Sequence, residues 1–345
     1  MPQLAAPSAL AVTMGEPAGI GAEITMKAWA TRNEAQLPPF FLIDDPDRID
    51  ALAQRSNLDA PVARISEPEE AAAVFPSALP VLPIALDGPV TPGHPNKATA
   101  RAVVGAIDLA VEWALSGRIA GMVTNPIQKQ VLYAVGFDYP GHTEYLADLS
   151  GEGVTPVMML ACPGLRVVPV TVHLSLREAI LAIDRDAVVL QSMITWRALR
   201  DDFGIAAPRI AVAALNPHAG EGGALGAEET DIIGPAIEIL RDRGLDITGP
   251  LPADSMFHEA ARSTYDVAIC MYHDQALIPL KTLNFEQGVN VTLGLPFVRT
   301  SPDHGTALSI AGTGTANPAS LISALNMANS IAQRRTAVAL PAAQV

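Results

Sequence analysis

The sequence predicts an α/β protein with a mostly parallel sheet, arranged as two α/β/α domains. Three observations carry this. Short apolar runs alternate with longer stretches of helical periodicity. Several of those runs stop abruptly at polar residues, as parallel strands do where ligands collect beyond their carboxyl ends. No low-complexity linker separates the halves, which implies domains that exchange chain segments, with a cleft between them. The expected division is 1–135 plus 285–345 for a discontinuous first domain, and 136–284 for a second domain that carries His173, His218 and His273.

Composition narrows the field. At 345 residues the chain has room for two domains, at about 150 residues each. Lys and Arg number 22 and Asp and Glu 36, so the formal charge of −14 disfavours nucleic acid or an anionic membrane as partner. An anionic substrate must then be held by a few local cations. Cys162 and Cys270 sit in or beside apolar runs and read as buried free thiols in a reducing compartment. No apolar stretch approaches the roughly 18 residues of a membrane helix. Residues 1–7 carry no basic region ahead of apolar residues, so no signal peptide is expected. A soluble, cytoplasmic protein is the expectation.

Along the chain, Ala9 to Thr13 reads as a strand. The glycine-rich stretch Gly15 to Ile24 then opens a helix, but its spacing matches neither G-x-G-x-x-G nor G-x-x-x-x-G-K-[ST]. It is either a tight turn or a direct ligand contact, and both readings stay open. Phe40 to Ile43 is a second strand. Residues 52–92 read as loops with short elements. Lys97 to Leu115 is a helix, with Val103, Ile107, Val111 and Leu115 on one face. Ile119 to Val123 is a strand ending in Thr124-Asn125-Pro126. Gly136 to Leu146 is a loop entering a helix that Thr143 would cap. Val157 to Ala161 and Val167 to Val172 form a hairpin about Pro163-Gly164, and Leu176 to Phe203 is mostly helical. Ala219 to Gly223 is a flexible loop, Glu228 to Arg243 a helix, and residues 249–257 an extended loop with an Asp-Ser cap. Val289 to Leu293 is a strand, residues 297–307 a polar loop, and Pro318 to Arg335 the last helix.

Chemistry gathers at the ends of the apolar runs. Val167 to Val172 delivers His173, Ile210 to Leu215 delivers His218, and Val267 to Met271 delivers His273. Three such histidines converge only if their strands are neighbours and parallel, and three imidazoles with open positions suit a divalent metal such as zinc or cobalt. Read singly, each is a structural loop histidine, as are His142 and His304. There is no H-E-x-x-H or C-x-x-C, and no G-x-S-x-G elbow to support a Ser-His-Asp triad. Lys281 and Arg299, set among apolar neighbours, read either as surface charges or as cations held for a phosphate or carboxylate, with Asn290 between them.

Six segments jointly carry a resemblance: Met14 to Gly21, Thr124 to Ile127, Gly141 to Glu144, Asn216 to Glu221, Tyr272 to Gln275 and Arg299 to Thr306. From about Val12 to the last helix the chain resembles the 4-hydroxythreonine-4-phosphate dehydrogenase family. The resemblance implies an isocitrate/isopropylmalate dehydrogenase-like fold. It implies NAD- or NADP-dependent oxidation of 4-phosphooxy-L-threonine in pyridoxal phosphate biosynthesis, with a divalent metal (zinc, magnesium or cobalt). The metal ligands fall on His173, His218 and His273, and the substrate contacts on His142, Thr143, Lys281, Asn290 and Arg299. It further implies a homodimer whose active site and metal are shared between subunits. The cofactor-binding residues are left unassigned.

On this reading the metal lowers the pKa of the substrate alcohol so that hydride can leave, and the β-keto acid formed loses carbon dioxide to give 3-amino-2-oxopropyl phosphate. His142, Thr143 and Arg299 would hold the phosphate, with Lys281 and Asn290 nearer the hydroxyl and carboxylate. The general base stays open among Lys281, Asp254 and a water on the metal. The alternatives are a sister dehydrogenase of threonate or erythronate 4-phosphate, a metal-dependent hydrolase, or an inactive phosphometabolite-binding protein. A cyclic diol dicarboxylate is disfavoured, because both His142-Thr143 and Arg299 are present.

Overall fold

The computed structural model describes residues 9–339. Their strands, in chain order, are β1 (Leu10–Thr13), β2 (Phe40–Asp44), β3 (Val62–Arg64), β4 (Leu79–Pro83), β5 (Gly121–Thr124) and β6 (Val157–Cys162), followed by β7 (Leu165–Pro169), β8 (Arg209–Ala213), β9 (Asp246–Leu251), β10 (Val267–Cys270), β11 (Val289–Leu293) and β12 (Arg299–Pro302). They belong to two compact units. Among the described residues, one covers 9–156 and resumes over Leu295–Gln333; the other is Val157–Gly294 with residues 334–339.

In the first unit the strand order is β3-β4-β2-β1-β5-β12, and every pairing is parallel. Parallel sheets are covered on both faces, so their strands read as continuous apolar runs. Every residue of β1 and β2 is indeed buried. The Ala100–Leu115 helix lies against this sheet. Val103, Ile107 and Val111 enter the core, as their spacing predicts, and so do Ala102, Ala106 and Ala110 on the neighbouring stripe. Burying each of the larger side chains contributes about 1.5–3 kcal/mol.

The glycine-rich stretch after β1 is a packing turn. Gly15 has φ +67°, and a Cβ there would meet the Pro126 carbonyl at 2.6 Å; one on Gly19 would meet the Thr306 carbonyl at 2.9 Å. Close backbone approach therefore accounts for these glycines.

In the second unit the order is β11-β6-β7-β10-β8-β9. β6 pairs antiparallel with both β11 and β7, which is the expected hairpin, while β7, β10, β8 and β9 run parallel. Cys162 and Cys270 are buried and free.

Several elements differ from the sequence expectation. The first boundary lies past 135/136, because Phe137, Tyr145 and Leu146 join the core of the first unit. The Phe137 and Tyr145 rings meet edge-on with centroids 4.9 Å apart, and the Tyr145 hydroxyl donates to Asp108. The second lies past 284/285, because β11 pairs with β6. Residues 249–251 extend β9, and Arg299–Pro302 is a buried strand inside the expected polar loop, since its ladder partner β5 supplies the hydrogen bonds. Thr143 is not a cap: Gly141 takes the N-cap position and offers no side chain. The Asp-Ser pair does not cap the helix that follows it; Glu259–Arg262 is capped by His258. Glu228 to Arg243 begins as a wide turn of π type, Glu229–Ile233, before the Gly234–Asp242 helix.

Candidate functional site

The second unit sets its parallel strands in the order the histidines require, with β10 flanked by β7 and β8. His173, His218 and His273 each follow the carboxyl end of one of these strands. His273 opens the His273–Leu283 helix, and its Nδ1 lies 2.7 Å from Asp274 Oδ1. The rings of His173 and His273 have their centroids 6.3 Å apart. Both help line a pocket of about 260 Å³ with Thr171, Leu174, Tyr272 and Asp274. His173 and His218 each hold φ +52°, which β-carbon-bearing residues seldom adopt. Such strain persists where the surroundings enforce it, and it clusters at functional sites.

Those surroundings are a set of ties across the strand ends. The Thr171 hydroxyl donates to the Met271 carbonyl at 2.8 Å, joining β7 to β10. The Met271 amide donates to Gln275 Oε1 at 2.6 Å, and Gln275 Nε2 donates to the Ala214 carbonyl at 2.7 Å, joining β10 to β8. Glu229 Oε1 accepts from the amides of Leu215 (2.8 Å) and Asn216 (2.7 Å), holding the loop that carries His218. Sequence reasoning missed Glu229; only its proximity in space ties it to Asn216. Among the described residues of one chain, no three His, Cys, Asp or Glu side chains group closely enough to hold a metal. The strands are neighbours, but the third imidazole does not close a set within a single chain.

Lys281 lies on the His273–Leu283 helix, two turns beyond His273, with its ammonium 5.7 Å from the centre of the Phe285 ring. Asn290 is on β11, and its Oδ1 is buried without a hydrogen-bond partner. Asp254 lines a separate pocket of about 460 Å³ with Tyr272, Asp274 and Ile278. Buried polar atoms are normally paired, so Asn290 Oδ1 keeps an acceptor that no group of the described residues fills.

The first unit holds the other expected group. Arg299, 4% exposed on β12, donates from Nε (3.2 Å) and Nη2 (2.7 Å) to Thr124 Oγ1 at the end of β5. Burial pulls its pKa down to about 10, partly offset by the carboxylate of Glu144. His142 opens the His142–Leu149 helix; burial, then the charges of Arg299 and Lys129, hold its pKa well below the ordinary imidazole value. His142 Nε2 and Glu144 Oε2 are buried without hydrogen-bond partners. A helix start whose Gly141 N-cap supplies no side chain leaves first-turn amides open to an anion. Thr143 is on that first turn. The arrangement can bind a small dianion with one guanidinium, a neutral imidazole and backbone amides. Thr124, whose motif the sequence singled out without a role, proves to be what aims Arg299.

Two α/β units, one with a parallel and one with a mixed sheet, and polar groups gathered at their parallel strand ends, define an α/β enzyme acting on a small anionic molecule. The comparisons with known proteins make this specific. A family model described as pyridoxal phosphate biosynthetic protein PdxA matches residues 36–328, and the chain belongs to that family. It is 52% identical over 338 residues to a 4-hydroxythreonine-4-phosphate dehydrogenase of Methylorubrum extorquens, covering 96% of this chain and 97% of that one. Among solved structures it is similar to the 4-hydroxythreonine-4-phosphate dehydrogenase of Klebsiella pneumoniae, with 37% identity, 96% and 100% coverage and a TM-score of 0.85. It is also similar, at 28% identity, 94% and 98% coverage and a TM-score of 0.63, to a terephthalate 1,2-cis-dihydrodiol dehydrogenase of Burkholderia xenovorans. No helix of the described residues is long and apolar enough to cross a membrane.

Proposed function

We propose that the chain oxidises 4-phosphooxy-L-threonine with NAD or NADP, giving 2-amino-3-oxo-4-phosphooxybutyrate, which decarboxylates to 3-amino-2-oxopropyl phosphate for pyridoxal phosphate synthesis. The observation that carries this reading is its 52% identity, over nearly the whole of both chains, to a 4-hydroxythreonine-4-phosphate dehydrogenase. The anion-binding group of the first unit supports it chemically. Buried Arg299 aimed by Thr124, together with the open helix start at His142 and Thr143, suits the phosphate of such a substrate.

His173, His218 and His273 are the proposed metal ligands. The donor chemistry fits a borderline divalent ion, and two of the rings already face one shared pocket. A divalent ion held there would supply Lewis-acid activation of the substrate alcohol. The set is proposed to be completed in a homodimer. Exposed Leu174 and Leu176 beside His173, and Leu181, 82% exposed on the Leu176–Ala182 helix that follows, support an apolar face covered by a second copy. Lys281 and Asn290 would contact the hydroxyl and carboxylate of the substrate, and Lys281 or Asp254 would take the proton. A phosphorylated substrate is favoured over a cyclic diol dicarboxylate by the buried Arg299 beside the His142–Thr143 helix start.

The test is direct. Purified protein given 4-phosphooxy-L-threonine, NAD or NADP and a divalent metal should generate reduced nicotinamide, and a chelator should abolish the signal. Faster turnover of erythronate 4-phosphate would reassign the substrate, and product release without any reduced nicotinamide would point to a hydrolase.

A further inference from the structure

A phosphate monoester carries a charge of about −1.5 to −2 near neutral pH. The group assembled in the first unit supplies less than that. Arg299 brings one positive charge, and Glu144 offsets part of it. His142 brings none, because burial keeps its imidazole neutral. Several other cations of this unit are committed to carboxylates, Arg48 to Asp44, Arg118 to Glu67 and Glu69, and Lys27 to Glu23, while Arg55, Lys97 and Arg101 are exposed on its surface. Lys129 differs. It is half-buried, its carbonyl accepts from the Tyr133 amide, and its ammonium pairs with no carboxylate within ion-pair distance among the described residues.

Its position is informative. Lys129 begins the short Lys129–Leu132 helix, thirteen residues before His142 in sequence, yet it meets the start of the His142–Leu149 helix. A Cβ built on Gly141 would lie 3.9 Å from Lys129 Nζ and 3.5 Å from Glu144 Oε2. The ammonium, the uncapped amides and the Nε2 of His142 therefore share one small region, into which Glu144 also brings a carboxylate.

We propose that Lys129 is a further phosphate-binding residue, supplying the second positive charge at the His142–Leu149 helix start. This rests on the reading that Arg299, His142 and Thr143 hold a substrate phosphate. Lys129 makes its ion pair with the phosphate when substrate arrives, and Glu144 spaces the two cations in its absence. Thr143 and the first-turn amides donate to the remaining phosphate oxygens.

The experiment compares wild type with Lys129→Met and Lys129→Arg. Titration calorimetry with inorganic phosphate reads the site without catalysis, and steady-state kinetics with 4-phosphooxy-L-threonine read it in turnover. Thermal melts confirm that both variants fold. Lys129→Met is expected to weaken phosphate binding and raise KM by about tenfold or more, with kcat changed far less, because a charge-assisted bond is lost. Lys129→Arg should recover most of both. Unchanged phosphate affinity in a folded Lys129→Met protein overturns the proposal, as does a fall in kcat at constant KM. Should wild type bind phosphate Lys129-dependently but fail to oxidise 4-phosphooxy-L-threonine, the functional reading falls and the phosphate site stands.

Discussion

Arg299 donates twice to one hydroxyl, Thr124 Oγ1, the shorter bond being 2.7 Å. The guanidinium is buried, so contacts such as this one, and not solvent, set its direction. Thr124→Val keeps the side-chain volume and removes the acceptor. Affinity for the phosphorylated substrate should fall by about 1.5–3 kcal/mol, the range for a hydrogen bond to a charged group. Measured KM against kcat decides it: a fall in kcat with KM unchanged would show that Thr124 does not act through Arg299.

His173 and His273, with ring centroids 6.3 Å apart, are expected to share a metal with His218. His218→Ala and His273→Ala should each lose bound divalent metal in elemental analysis of the purified protein, together with dehydrogenase activity. Full activity in metal-free His218→Ala protein would remove the metal from the proposal.

The buried imidazole of His142 gives a pH dependence with a definite sign. Its folded pKa is depressed, chiefly by burial, well below the ordinary imidazole value of about 6.5. At and below that value the unfolded chain takes up a proton that the folded chain refuses. Stability from this group is therefore full above about pH 6.5 and falls as pH drops below it. Denaturant melts across pH 5 to 8, at about half-unit steps, should show His142→Gln with a flatter acid limb than wild type. Parallel limbs would mean that His142 is protonated in the folded protein.

Gln275 joins two strand ends, accepting from Met271 and donating to Ala214. Gln275→Leu leaves a buried amide and a buried carbonyl without partners, which costs on the order of 2 kcal/mol or more. The midpoint of chemical denaturation should shift accordingly. Metal affinity should weaken as well, because the ends of β10 and β8 carry His273 and His218; a stability loss with unchanged metal affinity would restrict Gln275 to the fold.

Cys270 is wholly buried, and burial pushes its thiol pKa upward. The thiolate is the reactive form, so native protein should resist alkylation at Cys270 and react only once unfolded. Mass mapping after iodoacetamide treatment with and without denaturant reads this directly.

Much of this was legible in the chain. β1, β2, β5, β7, β8 and β10 are apolar because parallel strands are covered on both faces, and the residue that breaks each run is polar because the run has left the sheet. His173, His218 and His273 could be placed beyond strand ends on that basis alone. β12 could not, since Arg299-Thr300-Ser301-Pro302 has no apolar period and owes its strand form to pairing, with β5 among its partners. Glu229 was equally hidden: a helical glutamate looks the same whether it faces water or accepts the amides of Leu215 and Asn216.

Taken alone, the order of residues determined the α/β class, the motifs that place the chain in its family, and the three histidines. Tertiary structure alone decided which strands are neighbours, that Thr124 aims Arg299, and that Lys129 reaches the start of the His142–Leu149 helix. The reason is physical. Hydrophobic period is a local property that one stretch of chain expresses by itself, whereas a hydrogen bond or a shared field between distant residues exists only after the backbone has brought them within a few ångströms.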